Sequence, residues 1–283
     1  MRQLLAEPVL RVMPCCWDAL SARLIERAGF PLTFMSGFAV SAARLALPDT
    51  QLISYVEMLE QGRAICDAVS IPVIGDADTG YGNALNVKRT IAGYAQAGFG
   101  AAMIEDQLAP KRCGHTRGKD VVSRGEALAR IRAAVDARDE GAGILILART
   151  DAAAVHGLDE AIARAKAFRD AGADILFVEA PRSEAELTKV AEALPDAVLM
   201  ANLVEGGDTP LLPPKELEAL GYRIAAYPLT LLSVAVRAIE TALAGMREGA
   251  HPGDAERVSF EALRELVGFP DYERAAARYT AKD

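Results

Sequence analysis

The positions able to do chemistry sit where apolar runs end. Asp76 and Asp78, two residues apart, close the run PVIGDAD (72–78), and Glu105 closes AAMIEDQ (101–107). These carboxylates supply oxygen-only ligands. That is the preference of Mg²⁺, which keeps several waters and accepts a substrate oxygen. Carboxylates converging on one rim would repel one another unless a cation sat among them. Arg149, in ILILART (144–150), is the one cation at a run end, and its planar fork suits a carboxylate or a developing alkoxide. Glu179, Asn202 and Tyr227 end three further runs, the first run leads into Cys16, Trp17 and Asp18, and the second ends at Ser36-Gly37. Singly, each could cap a helix or begin a polar loop, and Arg149 could form a structural ion pair with Glu179. As a set they read as a site.

The second group is the stretch PKRCGHTRGK (110–119), the densest basic cluster in an acidic chain. It holds Lys111, Arg112, Cys113, His115, Arg117 and Lys119. Gly114 and Gly118 give it the freedom of an active-site lid. Positive neighbours favour a thiolate at Cys113, and a bound polycarboxylate would oppose that shift. A thiol tuned in this way can deliver and recover a proton. Cys66 lies in a helical pattern and reads as core, and Cys15 and Cys16 read as wall packing. His156 and His251 show no partner pattern and read as surface residues.

Eight runs carry these residues: 10–15, 32–37, 72–78, 101–107, 144–150, 175–181, 198–203 and 223–228. Each is nearly continuously apolar, as strands of a parallel sheet buried on both faces are. Helical patterns lie between them at 20–29, 86–98, 158–172, 183–194 and 214–221, several closing on Gly. Ser183 with Glu186 predicts a capping box. Eight strands alternating with helices predict an α/β fold, a (β/α)8 barrel over 1–250, whose active site belongs at the C-terminal strand ends. A doubly wound sheet fits less well, because the first strand lacks a G-x-G-x-x-G turn. Residues 251–283 fall outside the eight units and predict a C-terminal helical extension packed on the barrel or on a neighbouring subunit.

Composition narrows the classes. The 283 residues are 51% hydrophobic and carry a formal net charge of -8, which argues against a nucleic-acid binder but not against a small anionic substrate. No apolar run approaches a membrane span, and the N-terminus lacks a signal-peptide pattern. Four cysteines do not form a disulfide framework, so a cytoplasmic setting is expected.

The chain resembles the isocitrate lyase/phosphoenolpyruvate mutase superfamily over nearly its full length. The resemblance is carried by SGFAVSA (36–42), DADTGYGN (76–83), IEDQ (104–107), KRCGH (111–115), ARTDA (148–152), FVEAP (177–181) and NLVEGGDTP (202–210). It implies Mg²⁺, with Mn²⁺ as the alternative, held by Asp76 and Asp78 directly or through water, with Asp49 and Glu105 nearby. It implies that Ser36, Gly37 and Phe38 bind a substrate carboxylate or the metal-bound acid, joined by Trp17, Arg112, Gly114, Asn202 and Tyr227. Cys113 would be the general acid/base, with Lys111, His115, Arg149 and Glu179 completing the catalytic set. A homotetramer with exchanged C-terminal helices is implied as well.

The implied reaction is a retro-aldol cleavage of a 2-hydroxy di- or tricarboxylate to a 2-oxo acid and a carboxylic acid. Methylisocitrate lyases carry an arginine shortly after the strand-8 Tyr-Pro. In YPLTLLSVA (227–235) Ser233 stands about there, which favours a substrate with one carboxylate fewer. The EGGDTP segment resembles the 2,3-dimethylmalate lyase branch, so a 2-alkylmalate is expected. Three alternatives stay open: a phosphonomutase, an oxaloacetate hydrolase or decarboxylase, and a scaffold that binds a 2-oxo acid without turning it over. Such a binder would tolerate Cys113→Ala with its affinity intact.

Overall fold

The structure, a computed structural model, describes residues 1–113, 118–253 and 255–279. Eight parallel strands close into a barrel in chain order: β1 (Arg11–Cys16), β2 (Thr33–Met35), β3 (Val73–Asp76), β4 (Ala101–Glu105), β5 (Leu145–Thr150), β6 (Ile175–Val178), β7 (Leu199–Asn202) and β8 (Ile224–Tyr227). Closure comes from pairing of β1 with β8, Arg11 opposite Ile224 and Pro14 opposite Tyr227. The expected (β/α)8 barrel is therefore the observed fold, each strand lying inside its predicted run or one residue beyond it.

Strand side chains alternate between two apolar layers. Met13, Cys15, Phe34, Ile74, Met103, Leu147, Phe177, Met200 and Ala226 form the cluster within the barrel. Their neighbours Cys16, Met35, Val73, Ile104, Ile146, Leu176, Ala201 and Ala225 face the helices in a second, larger cluster. Burial on both faces is why the runs read as continuously apolar.

The helices follow local signals. The helix Ala19–Arg27 is capped by Asp18, whose side chain accepts from the Ser21 backbone. The helix Tyr55–Ala68 starts from a complete capping box of Ser54 and Glu57. At Glu184–Ala193 the box is only half formed. Ser183 accepts from the Glu186 N–H, but the Glu186 carboxylate accepts from the Arg182 N–H at 2.6 Å, one residue earlier than predicted. The helices Gly37–Leu45 and Arg124–Ala137 have no counterpart in the periodicity reading, and of Tyr55–Ala68 only the stretch around Cys66 reads as helical in the sequence. No helix of the described residues is long and apolar enough to cross a membrane.

The chain divides into two compact units, Met1–Leu231 and Leu232–Asp283. The second contains most of the helix Thr230–Arg247, together with Phe260–Leu266 and Phe269–Ala276.

Candidate active site

The barrel's inward positions turn polar as the strands end. Two residues beyond inward Ile74 comes Asp76, beyond Met103 comes Glu105, beyond Leu147 Arg149, beyond Phe177 Glu179, and beyond Met200 Asn202. The two-residue period of a strand thus carries all five to the C-terminal mouth, where barrel active sites lie. Asp76, Arg149, Glu179 and Asn202 border a cavity that is also lined by Ser36, Phe38, Asp49 and Cys113, whereas Glu105 and Asp78 are buried beside it without lining it. Its remaining wall is apolar and includes Phe34, Met103, Phe177, Met200, Val204, Pro228 and Leu229.

Asp76 is placed by backbone. Its Oδ2 accepts from the Gly37 N–H at 3.1 Å and its Oδ1 from the Asp78 N–H at 3.0 Å. The Tyr94 hydroxyl donates to its carbonyl at 2.7 Å. Asp78 adopts a left-handed backbone (φ 50°), a conformation costly for a residue with a side chain. Burial pushes the Asp76 carboxyl up to about 6; Lys111 opposes this, and Asp78 and Asp49 add to it.

The predicted catalytic Lys111 lies within the acid cluster. Its Nζ is 2.5 Å from Asp49 Oδ1 and 2.9 Å from Asp78 Oδ1, with all three side chains almost wholly buried. Burial alone would favour the neutral amine. Asp78, Asp49, Asp76 and Glu105 together outweigh it and hold the ammonium charged. Asp49 and Glu105 are raised chiefly by burial, and cations pull each of them back down.

With Lys111 so placed, no group of three or more His, Cys, Asp or Glu side chains among the described residues is arranged to hold a metal ion. The donor chemistry nevertheless fits a divalent cation. Asp49, Asp76 and Asp78 surround a single ammonium, which leaves two negative charges in excess, and the buried Glu105 Oε1 has no hydrogen-bond partner. A hard dication with oxygen ligands matches both features.

Arg149 is the cation of the opposite wall. Its Nε and Nη2 meet the two oxygens of Asp151 at 2.8 and 2.9 Å. Its Nη2 lies 3.1 Å from Glu179 Oε2 and its Nη1 3.3 Å from Glu105 Oε2. Burial disfavours its charge, and Asp151, Glu179 and Glu105 more than compensate. Glu179 also accepts from the Ala180 N–H at 3.0 Å through Oε1, while the Asn202 amide lies 3.5 Å from Oε2. Asp151, part of the segment ARTDA (148–152), is not among the expected site residues. Its place two residues beyond Arg149, on the same inward parity, is the signal that identifies it.

Other predicted residues lie around this centre. Ser36 lines the cavity and caps the helix Gly37–Leu45, its Oγ accepting from Ala39. Trp17 packs against the outer apolar layer and does not line the cavity; its carbonyl accepts from Gln61. Tyr227 also packs on that layer rather than lining the cavity, whose wall continues instead at Pro228 and Leu229. Arg112 exchanges two 2.9 Å bonds with the Gln107 amide and borders a neighbouring depression shared with Phe38, Asp49 and Cys113. Cys113 is half-buried, and no disulfide joins the four cysteines. Gly114 and His115 fall outside the described residues. Arg237, the arginine nearest in sequence to Ser233, is exposed and paired with Glu240 on its own helix.

A closed parallel barrel gathers buried acids, a fixed arginine and a cysteine at its C-terminal mouth, the arrangement of a (β/α)8-barrel enzyme. The chain belongs to the phosphoenolpyruvate phosphomutase family, whose profile matches residues 1–247. It is 46% identical over 239 residues to 2,3-dimethylmalate lyase of Eubacterium barkeri, covering 84% of this chain and 82% of that one. It is 44% identical over 270 residues to probable 2-methylisocitrate lyase 1 of Corynebacterium glutamicum, covering 95% and 88%. Among solved structures, oxaloacetate acetylhydrolase with the inhibitor 3,3-difluorooxalacetate superposes with a TM-score of 0.95 at 36% identity, covering 99% of this chain and 96% of that one. Phosphonopyruvate hydrolase in complex with oxalate and Mg²⁺ superposes with a TM-score of 0.87 at 32% identity, covering 98% and 97%.

Proposed function

We propose that the chain is a Mg²⁺-dependent carbon–carbon lyase that cleaves a 2-alkylmalate, with 2,3-dimethylmalate as the reference substrate, to pyruvate and propionate. One observation carries this reading. A single cavity sets acids and one arginine against an apolar wall, with a cysteine at its edge. Arg149 is the one cationic side chain among the described residues lining it, which suits two carboxylates better than three. Val204 and Leu229 offer alkyl substituents an apolar neighbour. The 46% identity to 2,3-dimethylmalate lyase supports the same substrate class.

Asp76, Asp78, Asp49 and Glu105 are the residues that would hold Mg²⁺, or Mn²⁺ in its place. When bound, the ion stabilises negative charge on the substrate's oxygens. Oxalate and Mg²⁺ together in the related phosphonopyruvate hydrolase support this assignment. Ser36, Gly37 and Phe38 border the substrate carboxylate, and Asn202 orients Glu179. Glu179 accepts the proton of the 2-hydroxyl while the Arg149 guanidinium faces the developing charge. The C2–C3 bond breaks, its electron pair passes into the C3 carboxylate as an enolate, and the Cys113 thiol returns a proton to C3. Fixed charges facing these oxygens supply the main stabilisation. The proton on Glu179 and the one lost by Cys113 balance through solvent after product release. Lys111 holds Asp49 and Asp78 in place.

Assembly as a homotetramer with exchanged C-terminal helices belongs to the same reading. Exposed Val234, Ile239, Leu243 and Met246 on the helix Thr230–Arg247 support it.

A second reading, hydrolysis of oxaloacetate, is favoured by the 0.95 TM-score to oxaloacetate acetylhydrolase. A lactate-dehydrogenase-coupled assay with Mg²⁺ separates the two. Pyruvate from 2,3-dimethylmalate is expected, whereas oxalate from oxaloacetate, or turnover of phosphonopyruvate alone, would replace the lyase assignment.

A further inference from the structure

Lys119 does not line the cavity, yet its side chain is 3% exposed and its Nζ lies 2.7 Å from Asp151 Oδ1, whose own side chain is wholly buried. The same Asp151 oxygen accepts from Arg149 Nη2 at 2.9 Å, and Oδ2 accepts from Arg149 Nε at 2.8 Å. One buried carboxylate is thus shared by two buried cations. The residue is itself anchored through its backbone. The Asp151 N–H donates to Asp106 Oδ1 at 2.9 Å, and Asp106 Oδ2 accepts from Thr150 Oγ1 at 2.7 Å and pairs with Arg164 Nη1 at 3.0 Å.

Charge accounting gives this arrangement a consequence. A lone Asp151 against Arg149 would orient the guanidinium and also cancel its charge, since a buried ion pair is close to neutral at a distance. With Lys119 on the same carboxylate, Arg149, Asp151 and Lys119 carry one net positive charge; Glu105 and Glu179, which contact the same guanidinium at 3.3 and 3.1 Å, oppose it, so what positive charge the trio keeps depends on Lys119.

We propose that Asp151 and Lys119 are positioning residues for Arg149, Asp151 fixing the guanidinium's orientation and Lys119 preserving its positive charge for an anion in the cavity. This rests on the reading of Arg149 as the cation that faces substrate oxygens. Neither residue touches substrate. Both act through Arg149.

The test measures oxalate binding by calorimetry, in MgCl2, and turnover of 2,3-dimethylmalate, for the parent and four variants. Lys119→Met makes the trio neutral and weakens oxalate binding by roughly tenfold, with KM rising alongside. Lys119→Arg restores affinity to within about threefold. Asp151→Asn keeps a positive trio but frees the guanidinium. It lowers kcat and leaves oxalate affinity at or above the parent's. The double variant Asp151→Asn/Lys119→Met returns to one net positive charge, so oxalate affinity recovers while kcat stays low. A merely structural pair would lower the thermal midpoint in every variant and give no recovery in the double.

Oxalate affinity in Lys119→Met within twofold of the parent, or an additive loss in the double, overturns this inference alone. A parent that binds oxalate but releases no pyruvate from any malate overturns the lyase reading alone. A parent that does not bind oxalate overturns both.

Discussion

The Gly37 N–H donates to Asp76 Oδ2 at 3.1 Å, and a methyl group at Gly37 would lie 2.6 Å from that same oxygen. The absent side chain at the start of one helix is therefore a condition for where a buried acid of β3 stands. Gly37→Ala is expected to move the carboxylate and cost about 1–3 kcal/mol, the usual range for overpacking. Denaturant unfolding of the Gly37→Ala, Asp76→Ala and double variants checks this. The double should lose less than the sum of the singles, and strict additivity would remove the steric coupling.

Burial pushes the Cys16 and Cys66 thiols up to about 12, and the Cys15 thiol is also raised well above its ordinary value. At pH 8 only about one Cys16 or Cys66 in ten thousand is then a thiolate, and the thiolate is the reactive form. Half-buried Cys113 should therefore be the single thiol of the native protein that reacts quickly with a disulfide reagent such as DTNB. The fast phase should amount to one equivalent and disappear in Cys113→Ser. Two fast equivalents in the parent would contradict it.

How much of this was legible in the sequence follows from period and polarity. Asp76, Glu105, Arg149, Glu179 and Asn202 share the parity of the apolar residues two positions earlier, so strand ends read with a two-residue period deliver them to one mouth. Asp49 had no such signal. It lies between the helices Gly37–Leu45 and Tyr55–Ala68, in a segment without periodicity, and only the family resemblance pointed to it. The stretch 110–119 read as one basic loop, whereas the side chains of Lys111 and Lys119 are each 3% exposed and paired with buried carboxylates. Composition reports that charges cluster but not which way each one turns.

Glu160 gives the fold an acid-sensitive contact. Hydrogen bonding to Arg124, aided by Arg164, lowers its carboxyl to about 2. A carboxyl depressed in the folded state stabilises above its unfolded pKa and loses that contribution as pH falls through the folded one. Glu160→Gln should therefore lower the urea midpoint at pH 7, with the difference from the parent shrinking below about pH 4.5 and closing near pH 2. An equal difference at pH 7 and pH 2.5 would mean that the charge contributes nothing.

Mg²⁺ should stabilise the chelator-treated protein as well as activate it, because Asp49, Asp76 and Asp78 outnumber the one ammonium among them. A ligand at a hundred times its Kd adds about 2.7 kcal/mol. The thermal midpoint should rise on MgCl2 addition, and the rise should vanish in Asp76→Asn/Asp78→Asn. A midpoint unmoved by Mg²⁺ or Mn²⁺ would remove the metal from the proposal.

Arg149→Lys tests whether the fork geometry matters beyond the charge. The guanidinium reaches Asp151 through two nitrogens, Glu179 through one of these and Glu105 through a third, spanning acids that converge from different strands. A lysine has one nitrogen at the end of a flexible stem and cannot meet all of them in that plane. Some of these buried carboxylates would then be left uncompensated, and losing one partner of a buried pair costs about 3–5 kcal/mol. Lysine retains a positive charge, so its penalty should be smaller than that of Arg149→Met. Turnover should fall by about 10²–10³ in Arg149→Lys, the scale for losing one fixed donor to a developing oxyanion. Steady-state kinetics beside thermal unfolding decides the matter. Parental kcat in a folded Arg149→Lys protein would show that the site needs only a charge, and the oriented fork would then have no catalytic part.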